Sequence, residues 1–133
     1  MRINVTSILV DDQEKALWFY TSKLGFVKKT DISAGEYRWL TVTPPEGPEG
    51  IELLLEPMGF PEARVFQKAL YNAGTPYTIF FTDDIDKEYK QLKSLGVIFR
   101  GEPQAMGPNI SVLFEDTCGN LINLTQLLGM PAK

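Results

Sequence analysis

The 133-residue sequence contains no histidine, the side chain that proteins use most often for metal binding and for proton transfer near neutral pH. Its single cysteine, Cys118, excludes an internal disulfide and any zinc site built from clustered cysteines. A Ser-His-Asp set is impossible, and no phosphate-binding loop or dinucleotide fingerprint occurs. A chain with one thiol suits a reducing compartment, so we expect the protein to be cytoplasmic.

Long hydrophobic runs and clusters of positive charge are also missing. No apolar stretch approaches the roughly 18 residues of a membrane span, and the N-terminus lacks the regions of a signal peptide. We therefore expect neither membrane insertion nor export. The formal net charge is −4 and Lys28-Lys29 is the only basic pair. Nucleic-acid binding depends on clustered Lys and Arg, so the sequence argues against a nucleic-acid partner.

The most informative feature present is an internal repeat. The segment 8–12, followed by a helical run to Leu24-Gly25-Phe26, returns as segment 79–84 running to Leu95-Gly96-Val97. The two copies match with a difference of one residue in their spacing. A fold built from two copies of one module follows, and paired modules commonly face each other across a cleft.

Hydrophobic periodicity predicts the same order of elements in both modules. We expect module one over about residues 3–58, with strands at 4–10, 27–32, 37–43 and 51–56 and a helix at 13–23. A linker helix at about 61–73 follows. Module two, at about 75–128, should contain strands at 75–82, 97–100, 110–115 and 120–126 and a helix at 85–95. With 44% hydrophobic residues, the chain 1–133 is predicted to fold as one domain.

Several residues that suggest chemistry are better explained by structure. The pairs Asp11-Asp12 and Asp83-Asp84 precede helices and are predicted to cap them, because the spaced oxygen ligands of a calcium loop are missing. Phe19 and Tyr20 fall on a helical apolar stripe and are predicted to lie in the core. Cys118 lacks a basic partner and lies in a tight turn, so a structural role is favoured over a nucleophilic one.

These features resemble the vicinal oxygen chelate superfamily, which includes glyoxalase I, extradiol dioxygenases, and fosfomycin and bleomycin resistance proteins. The residues that carry the resemblance are Val10-Asp11-Asp12, the run from Phe19-Tyr20 to Leu24-Gly25-Phe26, and the turn 116–119 before a final strand. The resemblance extends from about residue 3 to 127. It implies an α+β fold in which two βαβββ modules form a glyoxalase-like curved mixed sheet with a central cavity. It also implies a homodimer whose cavities include residues of the partner chain.

The resemblance further implies where a metal would bind. Metal enzymes of the superfamily place ligands on the first and last strands of each module, commonly His or Gln on the first and Glu on the last. Those positions are occupied here by Val5, Glu52, Tyr77 and Asn123. Zinc, nickel and iron(II) favour imidazole, thiolate and carboxylate, so only Glu52 is a good ligand. We therefore expect no bound divalent metal and no other cofactor.

Glu52 is the best candidate for a catalytic residue. Strand alternation separates it from Ile51 and Leu53 and directs it to a cavity or to solvent. There it would serve as a proton-transfer base, or it would accept hydrogen bonds from Tyr77 and Asn123 as a buried polar group. Both interpretations remain open.

The other candidate ligand-binding residues are Val5, Trp39, Tyr77 and Asn123. Tyr77 would either stack on a ligand or occupy a half-buried strand position without contacting one. Asn123 would either orient a ligand or form hydrogen bonds with neighbouring backbone groups. Trp39 and Arg38 point to opposite faces of one strand, and periodicity alone leaves open which of them faces the cavity.

We therefore predict a metal-free, glyoxalase/bleomycin-resistance-like protein that binds a small organic molecule in a cavity between its sheets. One alternative is a glyoxalase-like lyase or isomerase, or a dioxygenase-related enzyme, that uses Glu52 with a non-standard metal site. A second alternative is a non-catalytic dimeric scaffold whose cavity is filled by side chains.

Overall fold

The computed structural model describes residues 1–129, which form two similar modules joined by a helix. Module one contains β1 (Val5–Val10), α1 (Gln13–Ser22), β2 (Val27–Ala34), β3 (Tyr37–Thr43) and β4 (Glu52–Pro57). The linker helix is α2 (Pro61–Asn72). Module two contains β5 (Thr78–Phe81), α3 (Ile85–Ser94), β6 (Gln104–Met106), β7 (Asn109–Glu115) and β8 (Leu121–Leu127). The α+β fold of two βαβββ modules is confirmed, while residues 130–133 of the predicted domain lie outside the described range.

The two modules have the same sheet topology. The strand order is β1-β4-β3-β2 in sheet one and β5-β8-β7-β6 in sheet two. In each sheet the first strand pairs in parallel with the last strand of its module, and the remaining pairs are antiparallel. β1 and β5 are therefore edge strands, each with one side unpaired within its own sheet.

Acidic residues cap the first helix of each module, as predicted from the repeat. Asp12 Oδ1 accepts a hydrogen bond from the Lys15 backbone N–H at 3.0 Å, and Asp84 Oδ1 accepts one from the Lys87 N–H at 3.1 Å. Each bond satisfies one of the backbone donors that a helix leaves unpaired at its first turn. The repeated aspartates are thus explained by helix capping.

The predicted strand at 97–100 is wrong. Phe99 forms only an isolated bridge with Phe114, and the third strand of module two is β6, which pairs with β7 further along the chain. Gly101 has a φ of +103°, and Pro103 has no backbone N–H to donate. The chain therefore bonds to β7 at Arg100 and pairs with it again only from Gln104.

One hydrophobic core lies between the helices and the inner face of each sheet. It joins Phe19 and Tyr20 of α1 to Phe114 of β7, with ring centroids 6.4 Å apart for Phe19 and Phe114. The two aromatic residues of α1 are buried, which confirms their predicted place in the core. Each sheet packs one face against this core. The other face of each sheet lies outside the core and is called here the open face.

A buried polar cluster fastens module one to module two at the turn 116–120. Asp116 accepts a hydrogen bond from the Tyr20 hydroxyl at 2.8 Å, and the Asp11 backbone N–H donates to the Cys118 carbonyl at 3.3 Å. Gln67 of α2 donates to the carbonyls of Leu9 and Cys118, both at 3.0 Å. The linker helix and the turn therefore hold the end of β1 in place.

The Cys118 thiol is fully buried in this cluster, so the pH dependence of stability tests whether the cluster is closed to solvent. Burial, together with the charge of Asp116, raises the pKa of Cys118 from 9.0 to about 12. The folded protein keeps a proton that the unfolded chain releases above pH 9, so stability should fall as the pH rises from about 9 to 12. The slope contributed by one group is about 1.4 kcal/mol per pH unit.

Urea unfolding of the wild type and of Cys118→Ala across this range would measure that slope. We expect the stability difference between the two proteins to be constant below about pH 8 and to change above pH 9, because only the wild type carries the thiol. Parallel curves up to about pH 11 would contradict a buried, protonated Cys118.

Within residues 1–129, no helix is both long enough and apolar enough to cross a membrane.

Candidate functional site

The open face of sheet one gathers three of the predicted site residues. Val5 lies beside Glu52 in the parallel β1–β4 pair, and Thr41 lies opposite Leu54 in the β3–β4 pair. Side chains two residues apart on a strand share a face, so Trp39 shares the face of Thr41 and hence of Glu52. Trp39 is 46% exposed and Val5 is 37% exposed.

Arg38 points to the other face of β3, which answers the question that periodicity left open. Its guanidinium donates to both carboxylate oxygens of Asp31, at 2.9 and 2.7 Å, and it also pairs with Glu14 of α1. These two carboxylates raise the pKa of Arg38. Arg38 therefore joins α1 to sheet one and does not contribute to the open face.

Glu52 is half-buried on this face, at the start of β4. Its Oε1 accepts a hydrogen bond from the Thr41 hydroxyl at 2.6 Å and a longer one from the Thr30 hydroxyl at 3.5 Å. Among the described residues, no donor is bonded to Oε2. Glu52 is therefore held by threonines of its own sheet rather than by Tyr77 or Asn123, and one carboxylate oxygen remains available to accept a hydrogen bond.

Asn123 lies on the open face of sheet two. It is half-buried, and its partners in register are Ile79 of β5 and Leu113 of β7. Tyr77 precedes β5, and its backbone N–H bonds to the Leu121 carbonyl at 2.8 Å. Asn123 therefore lies beside Ile79, whereas Tyr77 is level with Leu121 at the start of β8.

The Tyr77 side chain reaches across to module one. Its ring packs against Phe66 of α2 with centroids 6.1 Å apart, and its hydroxyl lies near the backbone N–H of Leu9 and the carboxylate of Glu56. Burial and the charge of Glu56 raise the pKa of Tyr77, while the Leu9 amide acts in the opposite direction. Tyr77 therefore connects sheet two to the end of sheet one that carries Glu56.

The donor set at the superfamily's metal positions does not fit zinc, nickel or iron(II). Glu52 supplies one carboxylate, whereas Val5, Tyr77 and Asn123 supply an alkyl group, a phenol and an amide. Among residues 1–129, no group of three or more His, Cys, Asp or Glu side chains is arranged to hold a metal ion.

A cavity of about 820 Å³ lies between the two modules, away from these positions. Module one contributes residues 22–26, 44–47 and Ile51. Module two contributes residues 79–83, three residues of α3, the following Leu95, Phe114 and Leu124. None of Val5, Trp39, Glu52, Tyr77 and Asn123 lines it. The repeat predicted a cleft between the modules, but sequence reasoning named none of the residues that line this cavity as site residues. Its walls come from a Pro- and Gly-rich linker and from helix ends that only the packing of the modules brings together.

Comparison with known proteins agrees with this architecture. The family model of the Glyoxalase/Bleomycin resistance protein/Dioxygenase superfamily matches residues 2–124. The chain therefore belongs to this superfamily. The resemblance inferred from the repeat and from the turn 116–119 is confirmed.

Individual relatives cover nearly the whole chain. The uncharacterized protein YurT of Bacillus subtilis (strain 168) is 51% identical over 126 residues, spanning 95% of this chain and 99% of YurT. The crystal structure of UcmS2 shares 32% identity at a TM-score of 0.80 and covers 94% of this chain and 97% of that one. TnmS3, an antibiotic binding protein from Streptomyces sp. CB03234, shares 29% identity at a TM-score of 0.74, with 96% of each chain covered.

Proposed function

We propose that this protein binds a small organic molecule at the open sheet faces, without a metal ion and without chemical turnover. The observation that carries the proposal is the open face of sheet one, where exposed aromatic and aliphatic side chains share one face with the Glu52 carboxylate. Trp39 and Tyr37 are 46% and 41% exposed, and Ile32 is 59% exposed. Large apolar side chains around a few polar groups are typical of ligand sites.

The chemistry of this face suits a flat, partly apolar ligand with a hydrogen-bond donor. The Trp39 ring offers a stacking surface, and Glu52 Oε2 offers an acceptor on the same sheet face. On sheet two, Asn123 and Tyr77 would supply further polar contacts. The antibiotic binding activity named for TnmS3 supports a binding role for this chain as well.

We propose further that the protein is a cytoplasmic homodimer. Exposed apolar side chains on both open faces, among them Ile79 at 47% and Leu127 at 43%, favour coverage by a second copy. In such a dimer the open face of one chain would complete the ligand site of the other. Light scattering coupled to size-exclusion chromatography should give twice the mass of 15.0 kDa.

Trp39→Ala is expected to weaken ligand binding about tenfold, since it removes the main stacking surface of the site. A panel of aromatic phenols and amines would be screened by thermal shift, and affinities of the compounds that bind would then be measured by calorimetry. Trp18→Ala is the matched control, because Trp18 is 57% exposed on α1 and contributes nothing to the open face.

Glu52→Gln separates binding from chemistry. The substitution should lower the affinity for ligands that donate a hydrogen bond. Mass spectrometry after incubation should show that the bound compound is chemically unaltered. Conversion of a compound by the wild type that Glu52→Gln abolishes would instead support the lyase or isomerase alternative. Equal affinities in the wild type and Trp39→Ala would contradict a site on this face.

A further inference from the structure

We infer that the 820 Å³ cavity between the modules is a second binding site, one that takes apolar molecules carrying an ammonium or similar cationic group. This inference goes beyond the site proposed above, because none of Val5, Trp39, Glu52, Tyr77 and Asn123 lines the cavity. Its volume falls within the range of about 300–1,000 Å³ that is common for small-molecule sites.

The cavity has an apolar wall that neither module completes alone. Phe26 of module one and Phe80 of module two pack against each other in this wall, with ring centroids 5.6 Å apart. Phe81 is 61% exposed and Leu95 is 40% exposed, although both line the cavity. Apolar surface that stays accessible inside a concave site gains free energy when an apolar ligand covers it.

Charged groups around the cavity are unequal in sign. Three carboxylates line it, those of Glu46, Asp83 and Glu88, against the single ammonium group of Lys23. Lys23 is already engaged, since its Nζ donates to the Leu95 carbonyl at 2.6 Å and lies 4.9 Å from the centre of the Trp18 ring. The cavity therefore presents negative potential that a cationic ligand would neutralise.

The surroundings of the Glu88 carboxylate also favour a cation in the cavity. Burial raises the pKa of Glu88, and the nearby carboxylates of Glu46 and Asp84 raise it further, against the opposing effect of Lys87. No basic side chain forms a salt bridge with Glu46 or Glu88 among the described residues. Two like charges that approach each other in a partly desolvated site favour a cation between them.

Naphthylmethylamine and naphthylmethanol provide a matched pair of probes, because they share one ring system and differ in charge. The wild type should bind the amine at least about tenfold more tightly than the alcohol, since only the amine pairs with the carboxylates. In the double variant Glu46→Gln/Glu88→Gln, the two probes should bind with similar affinity. Phe81→Ala should weaken the binding of both probes, because it removes part of the apolar wall of the cavity.

A control double variant, Glu62→Gln/Glu102→Gln, makes the same change in net charge at exposed positions outside the cavity. It should keep the preference for the amine, and thermal melting would verify that every variant is folded. Equal binding of both probes by the wild type, absence of binding, or an unchanged preference in Glu46→Gln/Glu88→Gln would overturn the inference. Loss of amine binding in Trp39→Ala but not in Phe81→Ala would place the ligand on the open face of sheet one and also overturn the inference.

Discussion

Asp116→Ala is expected to lower the free energy of unfolding by about 3–5 kcal/mol, because it leaves a buried polar cluster without its acceptor. The Asp116 carboxylate is fully buried and accepts hydrogen bonds from the Tyr20 hydroxyl and the Cys118 N–H, both at 2.8 Å. It also accepts bonds from the backbone and side-chain nitrogens of Asn120, at 3.0 and 2.8 Å. Removal of the carboxylate leaves those donors desolvated and unpaired.

Urea denaturation at neutral pH would measure this loss. Asp86→Ala is the matched control, since the Asp86 side chain is 74% exposed and forms one ion pair along its own helix, so it should cost less than about 1 kcal/mol. Asp116→Asn should fall between the two, because an amide oxygen can still accept the backbone hydrogen bonds but its NH₂ group cannot accept one from Tyr20. A loss below about 1 kcal/mol for Asp116→Ala would contradict the role assigned to the cluster.

Gly119→Ala is expected to cost about 3 kcal/mol, the second large effect. Gly119 has a φ of +98°, which alone makes a side chain unfavourable by about 1 kcal/mol. An added Cβ would also lie 2.7 Å from the side-chain oxygen of Gln67. Gln67 cannot move freely, because its nitrogen is bonded to Leu9, Cys118 and Asn120.

Two comparisons separate the backbone effect from the steric one. Gly35→Ala tests the backbone term alone, since Gly35 has a φ of +68° with nothing within 4 Å of an added Cβ, and it should cost about 1 kcal/mol. In a Gln67→Ala background, the additional cost of Gly119→Ala should shrink toward that value, giving a coupling energy of about 1–2 kcal/mol. Strictly additive losses would show that the contact with Gln67 is unimportant.

Local signals in the sequence were sufficient for most of the fold. The repeated Asp-Asp pairs predicted the helix starts, and the two N-caps at Asp12 and Asp84 confirm them. The prediction failed at 97–100, where Val97, Ile98 and Phe99 read as a strand. Val97 packs in the core, the Ile98 carbonyl accepts a hydrogen bond from the Glu115 N–H, and Phe99 forms one bridge with Phe114. These contacts do not extend into a ladder, because Gly101 and Pro103 turn the chain away.

The candidate site was predicted less completely, for a geometric reason. Alternation correctly separated Glu52 from Leu53, because that rule acts within one strand. The face of Trp39 depends on the register between β3 and β4, and the partners of Glu52 proved to be threonines from two other strands. The repeat predicted a cleft between the modules, but the residues that line the 820 Å³ cavity were missed, since both modules contribute its walls.

The sequence by itself determined the two-module plan, the capped helices, the place of Phe19 and Tyr20 in the core, and the scarcity of metal ligands. These follow from residue type and from spacing within one element. Tertiary structure decided which strand face is open, how Gln67 and Asp116 join the modules, and where a cavity forms. Such contacts join residues far apart in the chain, as Tyr20 and Asp116 are at a separation of 96 residues, and only the packing of the two modules brings them together.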